Sequence, residues 1–504
     1  MNWYVTPHTR NRIPLDRIPV LPYAQFYEDV RELLVNEHFH CAHYFGVPDT
    51  QGTIFYCLLL NDESGKVWIS SWQRNYYEEH TEHPSLTAVF PAMHPFERGI
   101  TEQFGLKFEG NPYDKPLRFA HDRWNRKEGI NEYPFYKIDS QSVHEVNVGP
   151  IHAGVIEPGA FRFICNGEQI LHMEVVLGYQ HRGLEKLMVE TKNRFRQNVL
   201  AESIAGDTVV SHTLAYCYLV ESLSDTLKNR RLEQERTIAQ ELERIAVHVG
   251  DTGALCMDVG FQLGQVACEA LRTIVINTTQ RWCGNRFGKA LIRPGGSHYP
   301  LSGEISGIIV DHVKEVRRRY TEVCEDLFST PSVLGRFEEC GKVARTQMAQ
   351  IGAVGQSARA SGLCRDIRKT HPYGAYSDEI SHQPIVLETG DVMARAQMRY
   401  REALQSIETI LRLLQDAPAG EIALPDYEKP LAASSLSFAL IEGWRGEICH
   451  AGITDAEGQL VHYRIKDPSM HNWYALSLAV RGAGISDFPV NNKSFNLSYC
   501  GFDL

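Results

Sequence analysis

Apolar positions along the chain change period several times. Between residues 20 and 125 a helical period over 23–36 gives way to the apolar run 54–60, the turn Asn61-Asp-Glu-Ser-Gly65 and a second apolar segment at 67–69. Runs of that length around a glycine-containing turn predict two strands of a small α/β unit. The stretch 113–132 is polar, charged and broken by Pro and Gly, as linkers are. The expected division is 1–122, a linker at 123–145, and 146–504.

The second unit opens with short strand candidates at 145–148, 161–165 and 172–177, turned by Gly149-Pro-Ile-His-Ala-Gly154 and Gly167. Helical stripes then take over. Ile238, Leu242, Ile245 and Val249 share one face. Ile309, Val313, Val316, Tyr320, Val323 and Leu327 share another, and Tyr400, Leu404, Ile407, Leu411 and Leu414 a third, entered through a cap at Asp391. Three one-sided stripes predict a helical bundle. Past Pro418 the period shortens, with a hairpin expected from 446–451 to 461–466 and a helix at 473–481. The fold class is therefore α+β: a small N-terminal α/β domain, then a mainly α-helical bundle with small flanking sheets.

Composition narrows the function. At 504 residues and 43% hydrophobic content the chain can bury a large core, and a net charge of −11 argues against a nucleic-acid surface. No run of about 18 apolar residues occurs, and the first residues have no signal-peptide pattern, so a cytoplasmic chain is expected. The twelve cysteines are scattered singly and no two are three apart. That spacing leaves no zinc-ribbon, iron–sulfur or thioredoxin signature.

Chemistry concentrates between His181 and His212, in His181-Arg-Gly-Leu-Glu-Lys186 and in Ala205-Gly-Asp-Thr208 with His212. Buried charge is costly unless paired or used, which marks this stretch as the first place to look for a site. Glu185 could pass protons, or pair with Arg182 three residues earlier. Arg293-Pro-Gly-Gly296 could offer a guanidinium and backbone amides to a ligand, or simply form a turn.

The combination is more specific than its parts. His181-Arg-Gly-Leu-Glu-Lys186, Glu241-Leu-Glu-Arg-Ile-Ala-Val-His248, Arg293-Pro-Gly-Gly296, and Arg359-Ala-Ser-Gly-Leu-Cys-Arg-Asp-Ile-Arg368 with His371-Pro-Tyr373 occur in this order. Together they resemble the large subunit of membrane-bound group 4 [NiFe] hydrogenases of the formate-hydrogenlyase kind, and the related quinone-site core subunit of respiratory complex I. Glu97-Arg98 with Phe104-Gly-Leu-Lys-Phe-Glu-Gly-Asn-Pro112 is similar to the small complex I subunit fused ahead of the large one in such hydrogenases.

The resemblance implies Ni and Fe ligation by two C-x-x-C pairs, which fall here at Ala205 and Thr208 and at Ser498 and Gly501. None of the four is cysteine, and soft thiolates are what such a metal pair requires. The expected metal content is none. The family's processed carboxyl-terminal extension is likewise not expected past Leu504. For complex I, the resemblance implies a quinone headgroup held by a loop His and a Tyr. Here His152 stands early in the loop, Gly159 or Ala160 takes the place of the second His, and Gly206 that of the Tyr.

Glu185, Arg182, His212 and Asp207 are then the proton-transfer and pocket candidates, and His152 and Arg293 the candidates for binding a cofactor. The chain itself is expected to bind no cofactor, with quinone at the pocket left open. The implied partners are an iron–sulfur small subunit and antiporter-like membrane subunits, with no nucleic acid. They would place the protein peripherally on the cytoplasmic face of the inner membrane. A hydrogenase with unusual ligands and a non-catalytic scaffold are the alternatives.

Overall fold

The computed structural model describes residues 1–76, 83–152, 156–415 and 420–504, and Pro418 and residues 153–154 of the second-unit loop lie outside them. The N-terminal sheet is ordered Tyr4–Pro7, Lys66–Asn75, Gly52–Asn61, Phe39–Asp49, with Val20–Leu21 added in parallel to Lys66–Asn75. Helix Tyr23–Val35 packs on this sheet, and helix His94–Phe104 against Phe39–Asp49. The strand pair predicted at 54–60 and 67–69 is present with longer strands.

Glu97, in the motif shared with the small complex I subunit, organises the turn before its own helix. Its carboxylate, fully buried, accepts from Ser85 Oγ, Leu86 N, Thr87 N and Thr87 Oγ1 at 2.6–3.3 Å. Glu97→Ala strands these donors, so the variant is expected to lose about 2–4 kcal/mol, read as a lower melting temperature.

His144–Val148, Ala160–Asn166 and Gln169–Val176 form the three-stranded antiparallel sheet the sequence predicts. The bundle consists of Arg230–Asp258, Gln262–Cys283, Gly303–Leu327 and Val392–Leu413. The last begins at Asp391, whose side chain accepts from Ala394 N as the predicted cap. A further helix, Val209–Leu223, lies on the third sheet, ordered Leu460–Lys466, Gly446–Thr454, Ser435–Gly443, Ile13–Pro14.

Ile13–Pro14 ties the amino-terminal segment to the edge of the carboxyl-terminal sheet. Phe26, Trp72 and Phe96 share one apolar core with Phe161, Met173, Trp473 and Phe495, so the two sequence segments pack as neighbours.

Candidate functional site

The turn 205–208 leads directly into helix Val209–Leu223. Thr208 caps nothing with its side chain; Glu243, from helix Arg230–Asp258, accepts from Val210 N, Ser211 N and Ser211 Oγ instead. Burial pushes the Glu243 carboxyl up to about 7 against these donors. A pKa raised above the ordinary carboxylate value contributes stability that is present below about pH 4.5 and lost as pH rises toward 7. Glu243→Gln, which cannot titrate, is expected to flatten the stability–pH slope in that window, measured by urea unfolding.

The four positions that a metal pair would use are near one another, and each is already engaged. Ala205 is a buried methyl group. Thr208 Oγ1 donates to Asp207 Oδ1 at 3.0 Å and accepts from Trp444 Nε1 and Arg445 Nη1, both at 3.1 Å. Ser498 caps the short helix Tyr499–Asp503, its Oγ accepting from Gly501 N at 2.9 Å. At Gly501 a Cβ would sit 2.7 Å from Asp467 Oδ2 and 2.8 Å from Ser498 Oγ, too close for any side chain without rearrangement.

A Ni–Fe group does not fit this donor set. No thiolate is offered at the four positions, and Asp467 occupies the space a residue at 501 would need. Cys500 is next door, but burial and the Glu157 charge push its thiol up to about 12, and its Sγ lies 3.5 Å from Ser498 Oγ. Among the described residues no group of three or more His, Cys, Asp or Glu is arranged to hold a metal ion.

What fills the pocket is polar and paired. Arg445 grips Asp207 with Nη1 and Nη2 at 2.7 and 2.6 Å, stacks over the Trp444 ring, and donates from Nε to Asn496 O. His212 Nε2 lies 3.1 Å from Asp467 Oδ2 and its Nδ1 3.0 Å from His450 Nε2. Burial alone would raise the Asp467 carboxyl, but the His212 contact and the Arg445 charge hold it below the usual range.

Arg182 joins the two loops, donating to Ser203 O, Ile204 O and Cys500 O at 2.5–3.0 Å. The Arg182–Glu185 pairing considered from the sequence is not formed. Gly183, at φ +69°, turns the chain between them, so Arg182 lies outside helix Leu184–Glu190. Glu185 instead accepts from Arg464 Nη1 at 2.7 Å and Ile465 N at 2.9 Å. Glu185, Arg182, His181, Arg464 and Tyr463 line a groove of about 520 Å³.

His152 closes its own loop, with Nε2 2.8 Å from Gly159 O, while Glu157 accepts from Tyr499 N at 3.3 Å. The loop thus reaches the helix that carries Gly501, although His152 makes no polar contact with His212, Asp467 or Arg445. Arg293 is further removed. Its guanidinium, buried, donates to Glu202 at 2.5 Å, and the turn it opens is held by Gly295 N on Glu221 and by Arg236 on its own carbonyl.

Sequence reasoning missed Asp467, His450, Tyr463, Arg445 and Arg464. Four of them stand on or directly after the predicted hairpin, and Arg445 just before it. The only local signals were single polar residues interrupting apolar strands, such as His450 within Ile448–Ile453.

Comparison with known proteins identifies the family. Residues 258–435 match the family "Respiratory-chain NADH dehydrogenase, 49 Kd subunit", and residues 20–137 its 30 Kd counterpart. The carbon monoxide-induced hydrogenase of Rhodospirillum rubrum is 30% identical over 69% of this chain and 96% of its own length. Formate hydrogenlyase subunit 5 of Escherichia coli is 27% identical over 88% of the chain and 80% of its own length. In solved structures, a chain of the archaeal membrane-bound sulfane sulfur reductase shares the fold, with a TM-score of 0.67 at 23% identity over 73% of this chain and 100% of that one.

Proposed function

Because the chain belongs to the family of the respiratory-chain NADH dehydrogenase 49 Kd subunit and its hydrogenase large-subunit relatives, with a 30 Kd-like segment ahead, we propose that it is the acceptor-site subunit of a multi-subunit, membrane-associated oxidoreductase. It takes electrons from an iron–sulfur partner subunit and works without a Ni–Fe centre. The observation that carries this reading is the pocket itself: the four positions stay together, but their donors are committed to a cap, a turn and an ion pair.

The acceptor enters through the groove beside Glu185. Its volume of about 520 Å³ lies within the range usual for small-molecule sites. A carbonyl-bearing acceptor such as a quinone meets Arg182, Arg464 and His181 there, in place of a loop His and a Tyr. Among the described residues no helix is long and apolar enough to cross a membrane, so attachment runs through antiporter-like membrane subunits, on the cytoplasmic face of the inner membrane. Arg293 supports the helix framework in this reading rather than holding a ligand.

The test is the native complex, purified with its partners. Nickel well below one atom per complex, with decylubiquinone reduced at the expense of reduced methyl viologen, is the expected result. Stoichiometric nickel together with H₂-dependent dye reduction overturns it. A pocket so fully packed also favours a scaffold role, which predicts a complex whose turnover ignores changes in this chain's groove.

A further inference from the structure

We propose that four buried side chains, Tyr463, His450, His212 and Asp467, form a proton path from the groove to the pocket. This inference rests on the acceptor-site reading above and adds to it a route for protons that does not run through Glu185. The contacts are continuous: Tyr463 Oη to His450 Nδ1 is 2.8 Å, His450 Nε2 to His212 Nδ1 is 3.0 Å, and His212 Nε2 to Asp467 Oδ2 is 3.1 Å. Each hop lies within hydrogen-bond reach. Tyr463, His450 and His212 are 0–1% exposed and Asp467 is 2% exposed, so water does not short-circuit the chain.

The fold places them deliberately in line. His450 and Tyr463 stand on adjacent strands Gly446–Thr454 and Leu460–Lys466, with His450 opposite Ile465 and Tyr463 opposite Gly452. His212 reaches them from helix Val209–Leu223, which lies on that sheet. Asp467 follows the last residue of the outer strand. The two ends differ in kind. Tyr463 lines the groove with Glu185 and Arg182, whereas Asp467 Oδ2 fills the space above Gly501.

One tautomer assignment satisfies every contact without a net charge beyond the Asp467 carboxylate. Tyr463 O–H donates to His450 Nδ1, His450 Nε2–H to His212 Nδ1, and His212 Nε2–H to Asp467. All donors then point toward the pocket. A concerted shift moves the proton of His212 Nε2 onto Asp467, that of His450 Nε2 onto His212 Nδ1, and that of Tyr463 onto His450 Nδ1. Tyr463 takes one proton from the groove, so one proton enters and one arrives at Asp467, with no change in electron count. The rings finish in the Nδ1–H tautomer and must return before the next delivery. Burial, with His212 and His43 nearby, keeps His450 neutral in the resting chain, as the path requires.

A structural lock would use the same hydrogen bonds, so the test must read proton movement. In the native complex, with reduced methyl viologen as donor and decylubiquinone as acceptor, Tyr463→Phe and His450→Gln keep the packing but break the relay. Each is expected to lower kcat about 10–100-fold with KM within about twofold, and to raise the solvent deuterium isotope effect on kcat. Unchanged kcat, or a loss with an unchanged isotope effect, overturns the path and leaves the acceptor-site reading standing. Independently of turnover, the full chain labelled with ¹⁵N-histidine should show two neutral Nε2–H rings with coupling across the His450–His212 N–H···N bond. A doubly protonated ring, or no such coupling, overturns the path. A wild-type complex that reduces no acceptor, with the coupling present, instead removes the reading on which the path's purpose rests.

Discussion

Arg359→Ala is expected to leave the chain unable to fold. Arg359 is completely buried and holds Glu402 at 2.6 Å, Glu442 at 2.7 Å and Asp366 at 3.3 Å. These carboxylates also meet Arg368, which pairs with Asp366 at 2.7 Å, and His248, which lies 3.1 Å from Glu402. Glu402 is buried, which alone would raise it, yet Arg359 and His248 hold it well below the usual carboxylate range. Its contribution to stability is present above its ordinary pKa and lost as pH falls through the folded value. Glu442 behaves oppositely, because burial and the Asp366 charge push it up to about 7.

Removing one partner of a buried pair costs about 3–5 kcal/mol, and here three carboxylates lose the same cation. A domain's whole stability is about 5–15 kcal/mol, so the loss takes most of it. The expected product is insoluble or lacks a cooperative thermal transition by circular dichroism. Arg359→Met combined with Glu402→Gln and Glu442→Gln is expected to recover a soluble, cooperatively melting chain, since apolar or neutral replacements remove the uncompensated charge. Recovery would place the effect in burial of charge rather than in lost volume.

The motifs around Arg359 and Glu241 were legible as a set, because their order and spacing carry the family resemblance. Their role was not. Nothing local indicates that the Glu241–His248 segment, the Arg359–Arg368 segment, Glu402 and Glu442 meet in one ion network, since the partners come from four separate stretches of the chain. Helices with one apolar face were readable, as at 309–327 and 400–414. Val209–Leu223 was not, because it is buried on nearly every side and shows no polar face to set a stripe. Strand Phe39–Asp49 was hidden by His40, Cys41 and His43, polar types that here are buried.

The pocket divides in the same way. Ala205, Thr208, Ser498 and Gly501 followed from counting along the family pattern, and Asp207 and His212 came with them. Asp467 and Arg445, which decide what the pocket now holds, lie more than 230 residues from the first pair. Only the packing of helix Val209–Leu223 on the carboxyl-terminal sheet brings them there. That none of the four positions is cysteine was readable in the sequence; the side chains that surround them were not.

Glu185→Gln is the second large effect, and it falls on turnover. The carboxylate sits in the groove, fixed by Arg464 and by Ile465 N, two residues along the backbone from Asp467. Gln has the same shape and can still accept from one donor, while Arg464 keeps its bond to Gln103 Oε1 at 2.7 Å. The partly exposed Glu185–Arg464 pair contributes little once solvent screening is counted, so stability should change by about 1 kcal/mol or less. What Gln cannot do is carry a proton. If groove chemistry needs that carboxyl, kcat of the native complex falls about 10²–10⁴-fold with KM nearly constant, and Glu185→Asp restores part of it. A scaffold, by contrast, predicts wild-type turnover in both variants, so the measurement decides between a working acceptor site and a merely packed one.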